Sequence, residues 1–391
     1  GPLAGLPSKP GAHIEKIKAM GDNTWLDLGS PTRDPVWGDG IGRAYSYKMA
    51  YTEDRRGAFL YGEGVHGGTT KRNGRTYYND DLFFYDINGH RWVCAYPGFE
   101  IGTYSSTVTI DKNGFEATKD GPIPIASIVH GYGNLTYDPI HKTFMFITDP
   151  AGGGYYRNSM PERAAFLKTN TYAGVSAALG ISPWMFDTVK GRWTAKRTEM
   201  KNPRWSHSAH LYYLDSCKKV AWFAFGTHYY DPARNTWEQI SEKGNMGEPS
   251  CHDTKRDRIY FPGGSSTGVV GKIKHSLWAF DVATKTWMDL NPKGDVMLNF
   301  ANEGSCVAAM QYDSANDVAV FFMYAGKPED RGVLVYSPDK NEWTQATREL
   351  PAAAAWSCFY DPVLNAHFIL QAGDSAPGGK MYVYRHRKTG K

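Results

Sequence analysis

No run of about 20 consecutive apolar residues occurs in this chain of 391, so nothing in it is built to cross a membrane as a helix, and no membrane partner is expected. Charge is equally unconcentrated. Lys and Arg exceed Asp and Glu by 44 to 40, a formal +4, and no block of like charge stands out. Neither a basic stripe nor an acidic tail marks a nucleic-acid footprint. Cysteine is scarce: Cys94, Cys217, Cys251, Cys306 and Cys358 are odd in number and include no C-x-x-C, which excludes a disulfide framework. Three of them fall at equivalent places, in PSCHD, EGSCVA and WSCFYD, as small buried hydrophobes would. Cys251 and His252 are neighbours on a strand and point to opposite faces, so they do not supply the convergent ligands zinc requires. Helical periodicity is rare, PERAAFLKTN from Pro161 being the one candidate. No linker or compositional break divides the chain, so residues 1–391 read as a single domain. The opening GPLAG reads as a tag remnant ahead of the mature start, with any export signal already removed, which suits a secreted or periplasmic protein.

What the chain does have is internal repetition, and repetition decides architecture before any single residue is interpreted. Six segments share a Tyr or His turn, a short hydrophobic run and a small or glycine-bearing end. They read YTEDRRGAFLYGEG (from Tyr51), YDPIHKTFMFITDP (Tyr137), YLDSCKKVAWFAFG (Tyr213), HDTKRDRIYFPGG (His252), YDSANDVAVFFMYAG (Tyr312) and YDPVLNAHFILQAGD (Tyr360). A second pattern interleaves with these: an apolar pair, Asp, a polar turn, then Trp. It reads FYDINGHRW, MFDTVKGRW, YYDPARNTW, AFDVATKTW and VYSPDKNEW, ending at Trp92, Trp193, Trp237, Trp287 and Trp343. Each unit therefore supplies four strands joined by turns of Asp, Pro, Asn and Gly, the residues that tolerate a tight reversal. One such sheet cannot bury both its faces, whereas radial stacking buries them and leaves only short edges.

The Gly263-Gly264 pair, the Asp-to-Trp segments and the Tyr-Asp turns make the chain resemble the kelch family, whose units run to roughly 50 residues. The resemblance covers nearly all of Tyr45 to Tyr384. It implies an all-β, six-bladed kelch-like β-propeller and is almost silent on activity, since kelch propellers include oxidases, epimerases, adaptors and scaffolds. The sixth unit, Ala352 to Tyr384, stops after its third strand. The segment NTWLDLG, with Trp25, matches the missing Trp strand, so residues 22–30 are expected to complete the last blade and remove its open edge. Seven blades would require one within the insertion 99–124, where YSSTVTIDKNGFEAT reads as an extra hairpin. A second insertion spans 150–182.

Function in a propeller gathers around the axis, so the informative residues lie at and just before each first strand. GRAYSYKMAY, IVHGYGNLTY, PRWSHSAHLYY, EPSCHD, NEGSCVAAM and AAWSCFYD bring Arg43, Tyr45, His130, Tyr132, Asn134, Arg204, Trp205, His207, His210, Glu248, Glu303 and Trp356 to one level. A repeat kept only for packing would place small or apolar residues there. The first unit adds His66 and KRNGRTYYNDD, and the 150–182 insertion adds Tyr155, Tyr156, Arg157 and Tyr172. His130 precedes a glycine where a backbone can approach a ligand. His210 alternates with Ala209 and Leu211 and reads equally as a core group or a site group. His228 could face either way, and His90 and His141 read as solvated turn residues.

A His or Tyr can move a proton, and Arg neutralises a carboxylate or sulfate in a fixed bidentate geometry. That set suits β-elimination from a uronic acid: His130 or His207 as base, Tyr45 or Tyr132 as acid, Arg43 and Arg204 as the anion clamp. His66, Trp205, Asn134, Glu303, Trp356 and Tyr156 would bind the sugar, with aromatic faces for its rings. The residue kinds are similar to those of propeller-type polysaccharide lyases. The expected partner is an acidic or sulfated polysaccharide and the expected cofactor is none, a structural calcium on the axis staying open. Two other readings also stay open. A glycoside hydrolase would use paired carboxylates drawn from Glu63, Glu248, Glu303, Asp80 and Asp81. A non-catalytic kelch propeller would bind a glycan or protein through the same Arg and Tyr anchors. A copper-radical oxidase is disfavoured, because the adjacent Tyr-His pair is absent.

Overall fold

The computed structural model describes residues 1–40, 46, 48–61, 69–124, 133–147, 161–169, 183–198, 209–244, 249–262, 271–274, 276–300, 308–323, 331–351, 357–371 and 379–389. Within them the repeat becomes six four-stranded antiparallel sheets. Sheet 1 contains Ala50–Thr52, Gly57–Leu60, Leu82–Asp86 and Arg91–Tyr96, and sheet 2 Leu135–Asp138, Thr143–Ile147, Pro183–Asp187 and Arg192–Ala195. Sheet 3 contains His210–Leu214, Lys219–Ala224, Gly226–Asp231 and Thr236–Ser241, and sheet 4 Cys251–Asp253, Arg258–Pro262, Leu277–Asp281 and Thr286–Asp289. Sheet 5 contains Ala308–Asp313, Val318–Met323, Gly332–Ser337 and Glu342–Thr347. Sheet 6 contains Ser357–Asp361, Ala366–Gln371 and Lys380–Arg385, and its fourth strand is Thr24–Asp27, with Trp25 paired to Tyr384.

Local chemistry accounts for the turns. The residue five places after each repeat's Tyr or His has a left-handed backbone: Arg56, Lys142, Lys218, Asp257, Asp317 and Asn365. So does the residue two places before each Trp: His90, Gly191, Asn235, Lys285, Asn341 and, before the closing strand, Asn23. The repeated Asp caps these reversals. Asp187 Oδ1 accepts the Val189 and Lys190 N–H groups at 3.0 and 2.9 Å, and Asp313 Oδ1 accepts that of Asn316 at 2.9 Å. Such side-chain bonds satisfy the orphan donors of a tight turn. A tyrosine locks several of them: Tyr230 donates to Asn235 at 2.8 Å, Tyr336 to Asn341 at 2.9 Å and Tyr384 to Asn23 at 2.9 Å. The last of these joins the two ends of the chain.

The cores lie between the sheets. Strand alternation sends Phe83 and Tyr85 towards sheet 6 and Leu82 and Phe84 towards sheet 2. Four further clusters follow the same rule, so that hydrophobic cores sit between sheets 6 and 1, 1 and 2, 2 and 3, 3 and 4, 4 and 5, and 5 and 6. This is a closed all-β propeller, and it explains why the second strands read as unbroken apolar runs such as FMFI and AVFF. Polar seams tie the sheets at the far ends of the inner strands. Arg56 and Tyr51 of sheet 1 both bind Asp361 of sheet 6, the Arg in two bonds of 2.6 and 2.7 Å, and Tyr360 binds Asp313 of sheet 5 at 2.9 Å. The Tyr-Asp dipeptide of the repeat is thus a link between neighbouring units.

Residues 99–124 hold a short helix, Tyr104–Thr107, and a three-stranded sheet of Thr109–Ile110, Glu116–Thr118 and Gly121–Pro122. That is one strand more than the hairpin expected there and not the four-stranded sheet of a seventh blade. Its buried Glu116 pairs with Arg163 at 2.8 Å and accepts a bond from Tyr104, anchoring the insertion to the helix Pro161–Thr169. At the amino end, Leu3 is fully buried against sheets 1 and 2, and its carbonyl accepts a bond from Arg55 at 3.1 Å. Leu3 is part of the core between these sheets.

Candidate functional site

The six inner strands enclose an axial cavity of about 320 Å³, to which every sheet contributes. Lys48, Thr136, Tyr212, Cys251, Gln311 and Phe359 represent sheets 1 to 6 in its wall. Parallel bridges hold the ring at two places, Lys48 to Cys358 and Gly133 to His210.

Lys48 is the unusual member. Its Nζ donates to the Leu211 carbonyl at 2.5 Å and stands 3.7 Å from the centre of the Tyr212 ring. No carboxylate pairs with it among the described residues, and burial alone pushes the ammonium down to about 7. Beside it runs a buried polar chain: Ser250 Oγ lies 2.7 Å from the Tyr212 hydroxyl and 2.7 Å from Nδ1 of His210. Burial, with Lys48 adding repulsion, pushes His210 down to about 3, so its ring is neutral, while burial raises the Tyr212 phenol. His210, which the pattern left between two readings, is fully buried behind the channel wall, bonded through Ser250 to the lining Tyr212. Gln311 Nε2 donates to the Cys358 carbonyl at 3.3 Å and lies 3.0 Å from its sulfur.

The channel thus offers an ammonium facing a cavity, flanked by an aromatic face, hydroxyls and an amide. Such a set can hold an anion or a hydroxylated ring. Among the described residues no group of three His, Cys, Asp or Glu converges as a metal site would require. Cys251 is buried while His252 turns away to bind Asp257 at 2.8 Å, as strand alternation demands.

Of the residues assigned to the lyase site from sequence, only Asn134 is among those described. It is 3 % exposed, its amide donates to the Ile147 carbonyl, and its own carbonyl accepts the Ile147 N–H at 3.4 Å. It closes the top of the first strand pair in sheet 2. His130, His207, Tyr132, Tyr45, Arg43, Arg204, His66, Trp205, Glu303, Trp356 and Tyr156 lie outside the described residues, as do Glu63 and Glu248.

Asp80 and Asp81, two of the carboxylates considered for hydrolysis, are fully buried away from the axis. Arg72 binds Asp81 at 2.8 Å; Asp80 accepts the Phe99 N–H at 2.8 Å and the Tyr96 hydroxyl at 3.3 Å. Desolvation, with Asp81 adding repulsion, pushes Asp80 up to about 7. They hold a loop in place, and the sequence reading of them as cleft carboxylates is corrected. His90, expected to be solvated, is instead partly buried and bonded to the Tyr85 hydroxyl at 2.8 Å, whereas His141 is an exposed turn residue as expected, its Nδ1 2.6 Å from Asp138. His228 is a core residue packed on Trp222, and burial pushes it down to about 4.

Lys48 itself was missed by sequence reasoning. The available signal was its place in GRAYSYKMA, two residues ahead of an inner strand and level with the other mouth segments.

No family model matches the chain, and no curated protein sequence does. Among solved structures, one titled "Structure of YjhT" is similar in overall course, with 9 % identity and a TM-score of 0.48, covering 89 % of this chain and 96 % of that one.

Proposed function

We propose that this kelch-like propeller binds an acidic or sulfated polysaccharide where its inner strands begin, and cleaves it by β-elimination. The observation that carries the reading is Lys48: a positive charge facing the axial cavity with no carboxylate partner among the described residues. Lys48 is half-buried, and a partly desolvated ammonium gains from a partner of opposite charge, which an acidic ligand supplies. In this reading Arg43 and Arg204 clamp the uronate carboxylate, which acidifies the carbon-bound proton. His130 or His207 takes that proton, and Tyr45 or Tyr132 protonates the departing glycosidic oxygen. His66, Trp205, Asn134, Glu303, Trp356 and Tyr156 complete the sugar-binding surface. The reaction needs no cofactor, and a substrate of this class is met in the secreted or periplasmic space. Hydrolysis is the weaker reading, because Asp80 and Asp81 are committed to Arg72, Phe99 and Tyr96.

The test is a panel of uronic-acid and sulfated polysaccharides, with ultraviolet absorbance and reducing ends followed together. Both should rise, since elimination leaves an unsaturated sugar. Reducing ends alone would mean hydrolysis and replace the mechanism. In an active preparation, H130A or H207A should abolish turnover with the fold intact; full activity in both would remove the assigned base. No turnover across the panel would leave a binding module.

A further inference from the structure

We infer that the axial channel is itself a binding site for a single carboxylate or sulfate group, held by Lys48. The inference deepens the reading above, since it gives the channel one acidic group of the same class of ligand. Its basis is the geometry around Lys48. One ammonium proton goes to the Leu211 carbonyl at 2.5 Å and the Tyr212 ring face lies at 3.7 Å, while both Lys48 and Tyr212 line the cavity. At about 320 Å³ the space is at the small end for ligand pockets. It suits one sugar unit or a small anion, not a chain.

The phenols, the thiols and His210 around the channel keep their charge state near neutral pH, because burial moves each away from it. From sheets 1 and 2, Tyr51 and Tyr137 are neutral phenols raised by burial. Sheet 3 presents His210, neutral, along with the raised phenols Tyr212 and Tyr213. Cys251, Tyr312, Cys358 and Tyr360 of sheets 4 to 6 are raised as well, and His252 is engaged by Asp257. The strand-end carboxylates already have partners: Asp361 has Arg56, Asp253 has Arg256, and Asp313 has Asn316 and Tyr360. Lys48 is the lysine of the channel wall with no carboxylate partner among the described residues, and so the group positioned to meet an anion. Burial lowers its proton affinity in the empty channel to about 7, and a bound anion restores it.

The experiment is titration calorimetry on the whole protein with D-glucuronate and inorganic sulfate, and with glucose as the neutral comparison. Glucuronate or sulfate should bind, and glucose should not bind. Lys48→Met should abolish anion binding, and Lys48→Arg, which keeps the charge, should retain it; thermal unfolding checks that both variants fold. Anion binding that survives Lys48→Met, or no small-anion binding, would each overturn the inference. The polysaccharide panel separates the two failures. Cleavage with no channel binding removes this inference alone, and channel binding with no cleavage removes the lyase reading alone.

Discussion

Asp80 makes stability depend on pH in a direction opposite to most carboxylates. Its side chain is fully buried, its donors are the Phe99 N–H and the Tyr96 hydroxyl, and the nearby Arg72 is taken by Asp81. Two neutral donors do not offset desolvation, so the folded-state value rises from 3.8 to about 7. Between those values the folded protein keeps a proton that the unfolded chain has released. Stability contributed by this group is therefore full below pH 4 and is lost as pH rises to 7, after which the loss is constant. A shift of about three units corresponds to roughly 4 kcal/mol. Asp80→Asn keeps an oxygen for the Phe99 N–H and removes the titration. Guanidinium unfolding of both proteins at pH 4.5, 6, 7 and 8 isolates the effect, because every other titrating group is common to them. The variant should gain on the parent by 2–4 kcal/mol between the lowest and highest pH, within the order of magnitude set by that shift. Parallel stability curves, or a parent that gains on the variant as pH rises, would show Asp80 ionised in the fold and refute the reasoning.

Two further outcomes follow from the closing strand and the insertion. Asn23 combines a left-handed backbone with a 2.9 Å bond from Tyr384. Asn23→Gly should lose only the side-chain bonds to Tyr384 and His386, and Asn23→Ala should cost about 1 kcal/mol more, since only the alanine is strained there; equal losses by chemical denaturation would contradict this. Glu116→Ala leaves Arg163 buried without its carboxylate, a loss typically of about 3–5 kcal/mol. Limited proteolysis should then cut within residues 99–124 of the variant and spare the parent, and identical digestion patterns would show that the pair is not the anchor.

The turns were legible because their chemistry is local. A residue five places beyond the repeat's Tyr or two before its Trp must adopt a left-handed backbone, and Asn, Asp, Gly, Lys, Arg and His recur there. Asn23-Thr24-Trp25 repeats Asn235-Thr236-Trp237 in the same positions, which ties the first strand to the last blade on the same signal. The apolar runs were legible for a related reason: central strands buried on both faces need no alternation. By contrast, Asp80 and Asp81 looked like cleft carboxylates because the sequence shows two acids beside tyrosines. Their partners Phe99 and Arg72 are set by how the chain folds back, and adjacent side chains on an extended backbone part to different neighbours.

Lys48 lies at the far limit of what a sequence discloses. One lysine among 44 basic residues carries no mark of its own, and its bonding carbonyl is 163 positions away. Its meaning comes from what is missing around it. The inner strands deliver phenols, a thiol, hydroxyls and an amide to the channel, and each strand-end carboxylate already has a partner. A partner's absence has no local signature, because it is a property of all six strands at once. The same repetition that makes the architecture plain hides this departure, since a propeller places equivalent positions around one axis and function enters where one of them differs in charge. The axial residues with the strongest claim to function are therefore those least like their counterparts in the other repeats, and Lys48 is that residue among those described.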